Sequence, residues 1–373
     1  VLPTPNDAEG RGPSEGIGLC LSGGGYRAML FHVGSLWRLY ETGLLRAADR
    51  ISSVSGGSIT AGLLGLKWSR LSFDATRVQT DFVPEIVEPI RLLASETIDA
   101  EAIIWGVALP GRVSDRVAEA YDEHLFDGAT LQDLPDRPRF VINATSMQSG
   151  VLWRFSKPYM GDYRVGRVAR PTLPLARAVA ASSAFPPVLS PVEMRVDPRT
   201  FIPGSGHDLQ RPPFTRKVLL TDGGVYDNLG LETVWKRYRT VLVSDGGGKM
   251  QAEEEPKSDW ARHAYRVLEV VDNQVRALRK RQVIDSLTSK TRTGAYWGIR
   301  TNIADYGLAG ALACPFERTT ELAELATRLK RMDDELQERL INWGYAVCDA
   351  ALGRHYKPEL PRPSAFPYPS VGV

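Results

Sequence analysis

Four times in this chain a short apolar run ends in glycines. The segments are Leu19-Cys20-Leu21-Ser22-Gly23-Gly24-Gly25, Ile51-Ser52-Ser53-Val54-Ser55-Gly56-Gly57, Leu219-Leu220-Thr221-Asp222-Gly223-Gly224 and Leu242-Val243-Ser244-Asp245-Gly246-Gly247-Gly248. A brief apolar run bounded by turn residues reads as a buried strand. After the first cluster, Leu30, Val33, Trp37 and Tyr40 recur at helical spacing over Ala28 to Glu41, and Thr42-Gly43 closes that helix. After the second, Ser58 to Trp68 reads as a helix. Strand, glycine turn and helix in succession predict an α/β fold.

The remaining organisation is coarser. Leu71 to Asp127 is irregular and mostly helical, with Trp105 and Leu109 on apolar stretches, and residues 71–135 read as a cap-like insertion. Phe140 to Thr145 is a strand, with Val151 to Phe155 its hairpin or edge neighbour. Pro174 to Ala181 is a short helix ending at Phe185-Pro186-Pro187. Beyond Met250 the composition shifts. Asp259 to Leu287 predicts a long charged helix. Thr319 to Leu352 predicts a second, with Leu322, Leu325, Leu329, Met332, Leu336, Leu340 and Trp343 as a core-facing stripe. The expected division is a flexible tail over 1–15, a core over 16–250 and a helical extension over 251–373 packed on it.

Composition narrows the function. A chain of 373 residues can bury a sizeable core without staples. Its 46 basic and 44 acidic side chains give a net charge of +2, which argues against nucleic acid as a partner. Cys20, Cys314 and Cys348 are too few and scattered for a disulfide framework or a zinc site, and no paired histidine ligands suggest another metal. A reducing, cytoplasmic location is expected. No apolar run reaches the ~18 residues that span a bilayer. The polar stretch from Val1 to Gly16 lacks the apolar region of a signal peptide. Contact with a membrane would therefore be peripheral.

Each glycine cluster has a chemical reading and a bland one. Gly23-Gly24-Gly25-Tyr26-Arg27, between strand and helix, suits a phosphate cradle or an oxyanion hole, or is only a tight turn. A dinucleotide site would want an acidic residue about 20 residues on, where Ser52, Ser53 and Ser55 stand. The Gly-Lys-Ser/Thr of a P-loop is absent, and no cofactor is expected. Ser53-Val54-Ser55-Gly56-Gly57 has the form of a nucleophile elbow, with Ser53 replacing the usual first glycine. Its bland alternative is a turn with Ser58 capping the helix. Asp222-Gly223-Gly224-Val225-Tyr226-Asp227-Asn228 puts a carboxylate at a strand end, where open α/β sheets bind ligands. Asp-Gly turns are common, however. Asp245-Gly246-Gly247 has the same form, so the pattern alone marks no catalytic residue.

In this order and on consecutive α/β units, glycine loop, elbow serine and strand-end aspartate resemble the patatin-like phospholipase family. The resemblance extends through Asn143-Ala144-Thr145 and Ala180-Ala181-Ser182-Ser183-Ala184-Phe185-Pro186-Pro187, and covers roughly Gly16 to Gly248. The loop from Ser22 to Met29 is also similar to that of the calcium-regulated cytosolic phospholipases, a related group. The resemblance implies a three-layer α/β fold with a central, mainly parallel sheet flanked by helices. It implies a serine acyl hydrolase acting on phospholipids or lysophospholipids. Ser55 would be the nucleophile, Asp222 its base without histidine, and the N–H groups of Gly23, Gly24 and Gly25 the oxyanion hole. Arg27 would lie near a substrate phosphate or support the loop. A silent or ligand-activated protein on the same scaffold is the alternative.

A carboxylate with a pKa near 3.9 is a weak base at neutral pH, so such a dyad needs Asp222 desolvated beside Ser55. A triad through His263 or His207 stays open, although His263 begins a charged helix and His207 sits in a Pro/Gly-rich loop; His32 is expected to be packed. Arg276, Arg279, Lys280 and Arg281 read as solvated surface or as a membrane-facing patch. Tyr296 to Ile299 and Tyr306 to Pro315 read as core packing or as an acyl channel.

Overall fold

The computed structural model describes residues 13–98, 112–187 and 189–373, so residues 1–12 of the expected tail, Trp105 and Leu109 lie outside the described residues. The strands in chain order are β1 (Ser14–Leu21), β2 (Arg50–Ser53), β3 (Arg139–Ser146), β4 (Leu152–Phe155), β5 (Tyr159–Asp162), β6 (Gly166–Ala169), β7 (Val192–Arg195), β8 (Lys217–Asp222), β9 (Tyr238–Asp245) and β10 (Thr293–Gly298). The principal helices are α1 (Gly25–Glu41), α2 (Gly56–Lys67), α3 (Glu88–Ala94), α4 (Arg112–Tyr121), α5 (Leu175–Ser182), α6 (Trp260–Thr288), α7 (Phe316–Glu324) and α8 (Asp334–His355).

One mixed sheet runs β10-β9-β1-β2-β3-β4-β5-β6. The strands from β10 to β3 are parallel, and those from β4 onward antiparallel. Leu21 is level with both Ser53 and Ser244, and Ser244 with Trp297, so the glycine turns leave the sheet along one edge. Side chains alternate between faces with period two. Leu19, Leu21, Leu242 and Trp297 enter the larger core, while Cys20, Val241, Val243 and Tyr296 enter a smaller one on the opposite face. α1 is buried along nearly its whole length because it lies between the sheet and α8. A side chain at Gly34 would strike the Ile341 carbonyl, and the buried Arg38–Asp349 pair (2.9 Å) joins the two helices. The result is the α/β architecture expected, with helices on both faces.

Three details differ from the sequence reading. First, the stretch beyond residue 250 is not only helical. Thr293 to Gly298 forms an edge strand that continues the parallel sheet beside β9, which packs Ala295 and Trp297 into the core. Second, the stripe over Thr319 to Leu352 is not one helix. The chain leaves α7 at Leu325 in an extended conformation and re-enters helix only at Asp333, whose carboxylate accepts from the Leu336 N–H (2.9 Å). Leu329 and Met332 still reach the core from this strap, so apolar spacing survives without the helix. Backbone bonds to other segments replace helical ones: Ile98 N–H to Leu329 O (2.9 Å), Met332 N–H to Ala94 O (2.9 Å) and Tyr26 N–H to Arg328 O (3.0 Å). Third, β8 is not part of a consecutive parallel unit. It runs antiparallel to the outer end of β3, with Asp222 opposite Ala144 and Leu220 opposite Ser146.

The described part of the 71–135 insertion packs Phe82, Ile86, Ile90, Leu93, Tyr121 and Phe126 into the main core. All three cysteines are free and buried. Among the described residues no helix is long and apolar enough to cross a membrane.

Candidate active site

β2 delivers Ser55 to the sheet edge on a turn with φ 52° and ψ −123°, a backbone region that a residue with a side chain rarely occupies. Such strain persists only where surrounding contacts fix it. Here the fixing groups are hydroxyls. Ser55 N–H donates to Ser182 Oγ (3.0 Å), and Ser182 Oγ–H donates to the Asn143 carbonyl (2.7 Å). Ser58 Oγ lies 2.9 Å from Ser182 Oγ and donates to Ser53 Oγ (3.0 Å). Ser53, fully buried, therefore contributes a hydrogen-bonding group where the usual elbow has glycine. Gly56 and Gly57 let the elbow pack on the glycine loop: a Cβ at Gly56 would lie 2.2 Å from the Gly25 carbonyl oxygen. Gly57 N–H donates to Ser22 O (3.1 Å).

The loop itself divides its labour. Gly23 sits against Ser55, a Cβ there falling 3.1 Å from Ser55 Cβ, but its N–H is already given to the Asn228 carbonyl (3.0 Å). This corrects the expectation that all three glycines offer donors. No acceptor meets the N–H groups of Gly24 and Gly25 among the described residues, and Gly25 opens α1, where first-turn donors lack helical partners. Gly25 holds φ 61° with the Arg328 backbone pressed against it.

Asp222 enters from the opposite direction on β8. Its backbone is held by Asp222 N–H to Ala184 O (2.9 Å) and by the Thr145 hydroxyl donating to Asp222 O (2.8 Å). The carboxylate is 1 % exposed. Oδ1 accepts the Gly224 N–H (2.7 Å), whereas Oδ2 is buried without a formed hydrogen bond. Burial chiefly pushes the carboxyl up to about 7, with the Asp272 charge adding to the rise; the Gly224 N–H and the nearby Ser55 hydroxyl oppose it. The Ser55 hydroxyl is thus the side-chain hydrogen-bonding neighbour that holds the carboxyl below what burial alone would give.

No histidine is among the residues lining the cavity at Ser55. His32 is buried, its Nε2 donating to Ser22 O (2.9 Å) and its Nδ1 2.8 Å from Ser244 Oγ; burial holds it down to about 4. It ties the glycine loop to β9 as a neutral ring. His263 and His207 are exposed.

Arg27 is buried at the cavity wall. Its Nε donates to Gly246 O (3.2 Å), its Nη2 to Thr327 Oγ1 (3.0 Å) and its Nη1 to the Leu325 carbonyl. Burial, aided by the charges of Arg276 and Arg300, holds it down to about 10. Its hydrogen bonds make it a clamp between the loop, the β9 turn and the strap.

The cavity has a volume of about 560 Å³. One wall is the loop, Ser55 and Asp222; another is α6, through Tyr265, Val271, Asp272 and Arg276; the end of α7 and the start of the strap, Ala323 to Leu329, form a third. The sequence reading missed the last two. Of the basic cluster, Arg276 lines the cavity, Arg279 pairs with Glu232 (3.1 Å), and Lys280 lies over the Tyr296 ring (4.9 Å). Tyr296 to Ile299 pack in the core, with Trp297 Nε1 donating to Ser35 Oγ (2.9 Å). None of the described residues of the 71–135 insertion lines the cavity. Among the described residues no cluster of three or more His, Cys, Asp or Glu side chains is placed to hold a metal.

A model of the patatin-like phospholipase family matches residues 19–235, more than half of the chain. The chain belongs to the patatin-like phospholipase family. Among solved structures it is similar to human GIVD cytosolic phospholipase A2 in complex with methyl gamma-linolenyl fluorophosphonate, at 16% identity and a TM-score of 0.53, over 91% of this chain and 57% of that one. The same human protein with that inhibitor and terbium chloride gives 14% identity and a TM-score of 0.51, over 91% and 58%. VipD from Legionella pneumophila aligns over 91% of this chain and 67% of its own, at 15% identity, with a TM-score of 0.36. The chain thus spans under three fifths of the human enzyme's length, and the likeness concerns the fold. No curated protein sequence matches the chain.

Proposed function

We propose that the protein is a serine lipid acyl hydrolase working through a Ser55–Asp222 dyad. The observation that carries the reading is the buried Oδ2 of Asp222, an acceptor without a formed bond, beside the hydroxyl of a serine on a strained elbow. A base near pKa 7 is matched to neutral pH, which an ordinary carboxylate is not. Asp222 takes the Ser55 proton as Oγ attacks an ester carbonyl. The oxyanion forms against the N–H groups of Gly24 and Gly25; one such donor typically supplies about 2.7–4 kcal/mol. Asp222 then returns the proton to the leaving alkoxide. It next activates a water that hydrolyses acyl-Ser55.

Family membership supports a lipid ester as substrate. The cationic Arg27, Arg276 and Arg300 on the cavity wall favour an anionic headgroup, as in a phospholipid or lysophospholipid. The test is turnover of a short-chain p-nitrophenyl ester by wild type, Ser55→Ala and Asp222→Asn, with fluorophosphonate labelling of Ser55. Loss of turnover in both variants and labelling of the wild type alone is expected. Full activity in Asp222→Asn would put the base elsewhere and end the dyad reading.

A further inference from the structure

α6 carries its apolar stripe on the wrong side for a helix that only packs on a core. An amphipathic surface helix turns such a stripe inward. Here Val283 and Ser286 are buried, while Trp260, Ala264, Val267, Val271 and Leu278 are exposed. Their spacings of four, three, four and seven residues set them along one line at 3.6 residues per turn. Trp260 is 84% exposed and Leu278 58%. A contiguous exposed apolar surface of this kind marks an interaction site rather than ordinary surface scatter.

The position of the stripe identifies its occupant. Val271 belongs both to the stripe and to the lining of the Ser55 cavity, and Phe185, Leu189 and Met250 line that cavity as further apolar groups. The stripe therefore meets the cavity at Val271, where the lining mixes these apolar groups with Arg266, Glu269, Asp272 and Arg276. On the lipid-ester reading above, on which this inference rests, an acyl chain must pass from a bilayer into the cavity without crossing water. The surface that adjoins the cavity is the one that can receive it. We infer that the outward face of α6, from Trp260 to Leu278, is the surface that docks this protein on a lipid bilayer. An interfacial helix of this type buries its apolar face at the headgroup–acyl boundary, and a tryptophan suits the headgroup level. The charges nearest the stripe's line at 3.6 residues per turn, Arg281 and Asp285, are of opposite sign. Docking therefore depends on apolar insertion more than on anionic lipid.

The test is flotation with vesicles of phosphatidylcholine, alone or with phosphatidylglycerol, at low and high salt. It compares wild type, Ser55→Ala, Trp260→Ala and a Val267→Asp/Leu278→Asp double variant, each also assayed on a soluble p-nitrophenyl ester. Wild type and Ser55→Ala are expected to float with both vesicle types, with little salt dependence. The stripe variants should bind about tenfold or more weakly while keeping soluble-ester turnover. A wild type that turns over the soluble ester but does not float overturns the docking surface and leaves the hydrolase reading standing. A wild type that floats through this stripe yet is inert on esters does the reverse. Binding only with phosphatidylglycerol and lost in salt would assign docking to the basic residues instead. Conversion of a dimer to a monomer by the double variant, without change in flotation, would assign the stripe to a second copy. A marked fall in melting temperature would show that the protein itself covers it. Each of these last three outcomes overturns the proposal.

Discussion

Two turns in this molecule share one local sequence and do different work. Asp222-Gly223-Gly224 and Asp245-Gly246-Gly247 both follow an apolar strand, and in both an aspartate oxygen accepts the N–H two residues on, at 2.7 Å and 3.0 Å. They part at the second oxygen. Asp245 Oδ2 accepts the Tyr296 hydroxyl (2.7 Å), and Arg276 stands 4.0 Å from Asp245 Oδ1. Asp222 Oδ2 has neither a formed hydrogen bond nor a cation, and it is buried. One turn is satisfied; the other holds an acceptor in reserve. An unpaired buried carboxylate is costly to a fold, so its presence beside a strained serine points to chemistry rather than to packing.

The largest effect separating the two turns should come from Asp222→Asn and Asp245→Asn measured side by side. Asp222→Asn is expected to cost about 10⁴-fold in kcat, comparable to loss of a base in other serine hydrolases. Asp245→Asn should retain most activity, because its carboxylate is a structural acceptor. Equal losses would dissolve the contrast.

Next is pH. Activity should rise through about pH 7 as Asp222 loses its proton, and kcat/KM against pH reads this directly. Stability runs the opposite way. The folded value lies above the ordinary 3.8, so between about pH 4 and 7 the native state keeps a proton that the unfolded chain has lost, and stability falls as pH rises through that window. Asp222→Asn should therefore melt at higher temperature than wild type at pH 8, and the gain should vanish near pH 4. Scanning calorimetry at the two pH values checks the sign.

Ser182→Ala sharpens the account of the elbow. It leaves the buried Ser55 N–H unpaired, at about 1–3 kcal/mol of stability, and lets the nucleophile shift, with kcat lower by up to about 10²-fold. Denaturant unfolding and single-turnover kinetics separate the two. The smallest effect is expected from Thr327→Ala, which removes one of the bonds from Arg27 to the strap. It should cost about 0.5–1.5 kcal/mol and change turnover only a few-fold. A large loss of activity would make the strap part of the machinery rather than its support.

The extent to which the site could be read from the sequence follows the range of the forces involved. The glycine turns, the elbow and the strand before Asp222 were legible because each is a local pattern of apolar run, small residue and helix start. The burial that raises Asp222 was required by chemistry but not visible in residue order. The same holds for the commitment of Gly23 N–H to Asn228, a contact between segments some two hundred residues apart. The strap from Leu325 to Asp333 was misread as helix because leucine spacing alone does not reveal that backbone bonds go to Ile98, Tyr26 and Ala94 rather than to the preceding turn. The edge strand β10 was read as aromatic packing because its six residues mix glycine with large rings.

By itself the sequence determined the class of fold and put Ser55 and Asp222 forward as candidates, since strand–glycine–helix periodicity and the residues at its turns are written in consecutive positions. Only the tertiary structure decided which of two like aspartates is left without a partner, which glycine N–H groups stay free, and that α6 and the strap close the cavity. Those outcomes depend on burial and on hydrogen bonds between distant segments, and neither quantity exists until the chain has folded.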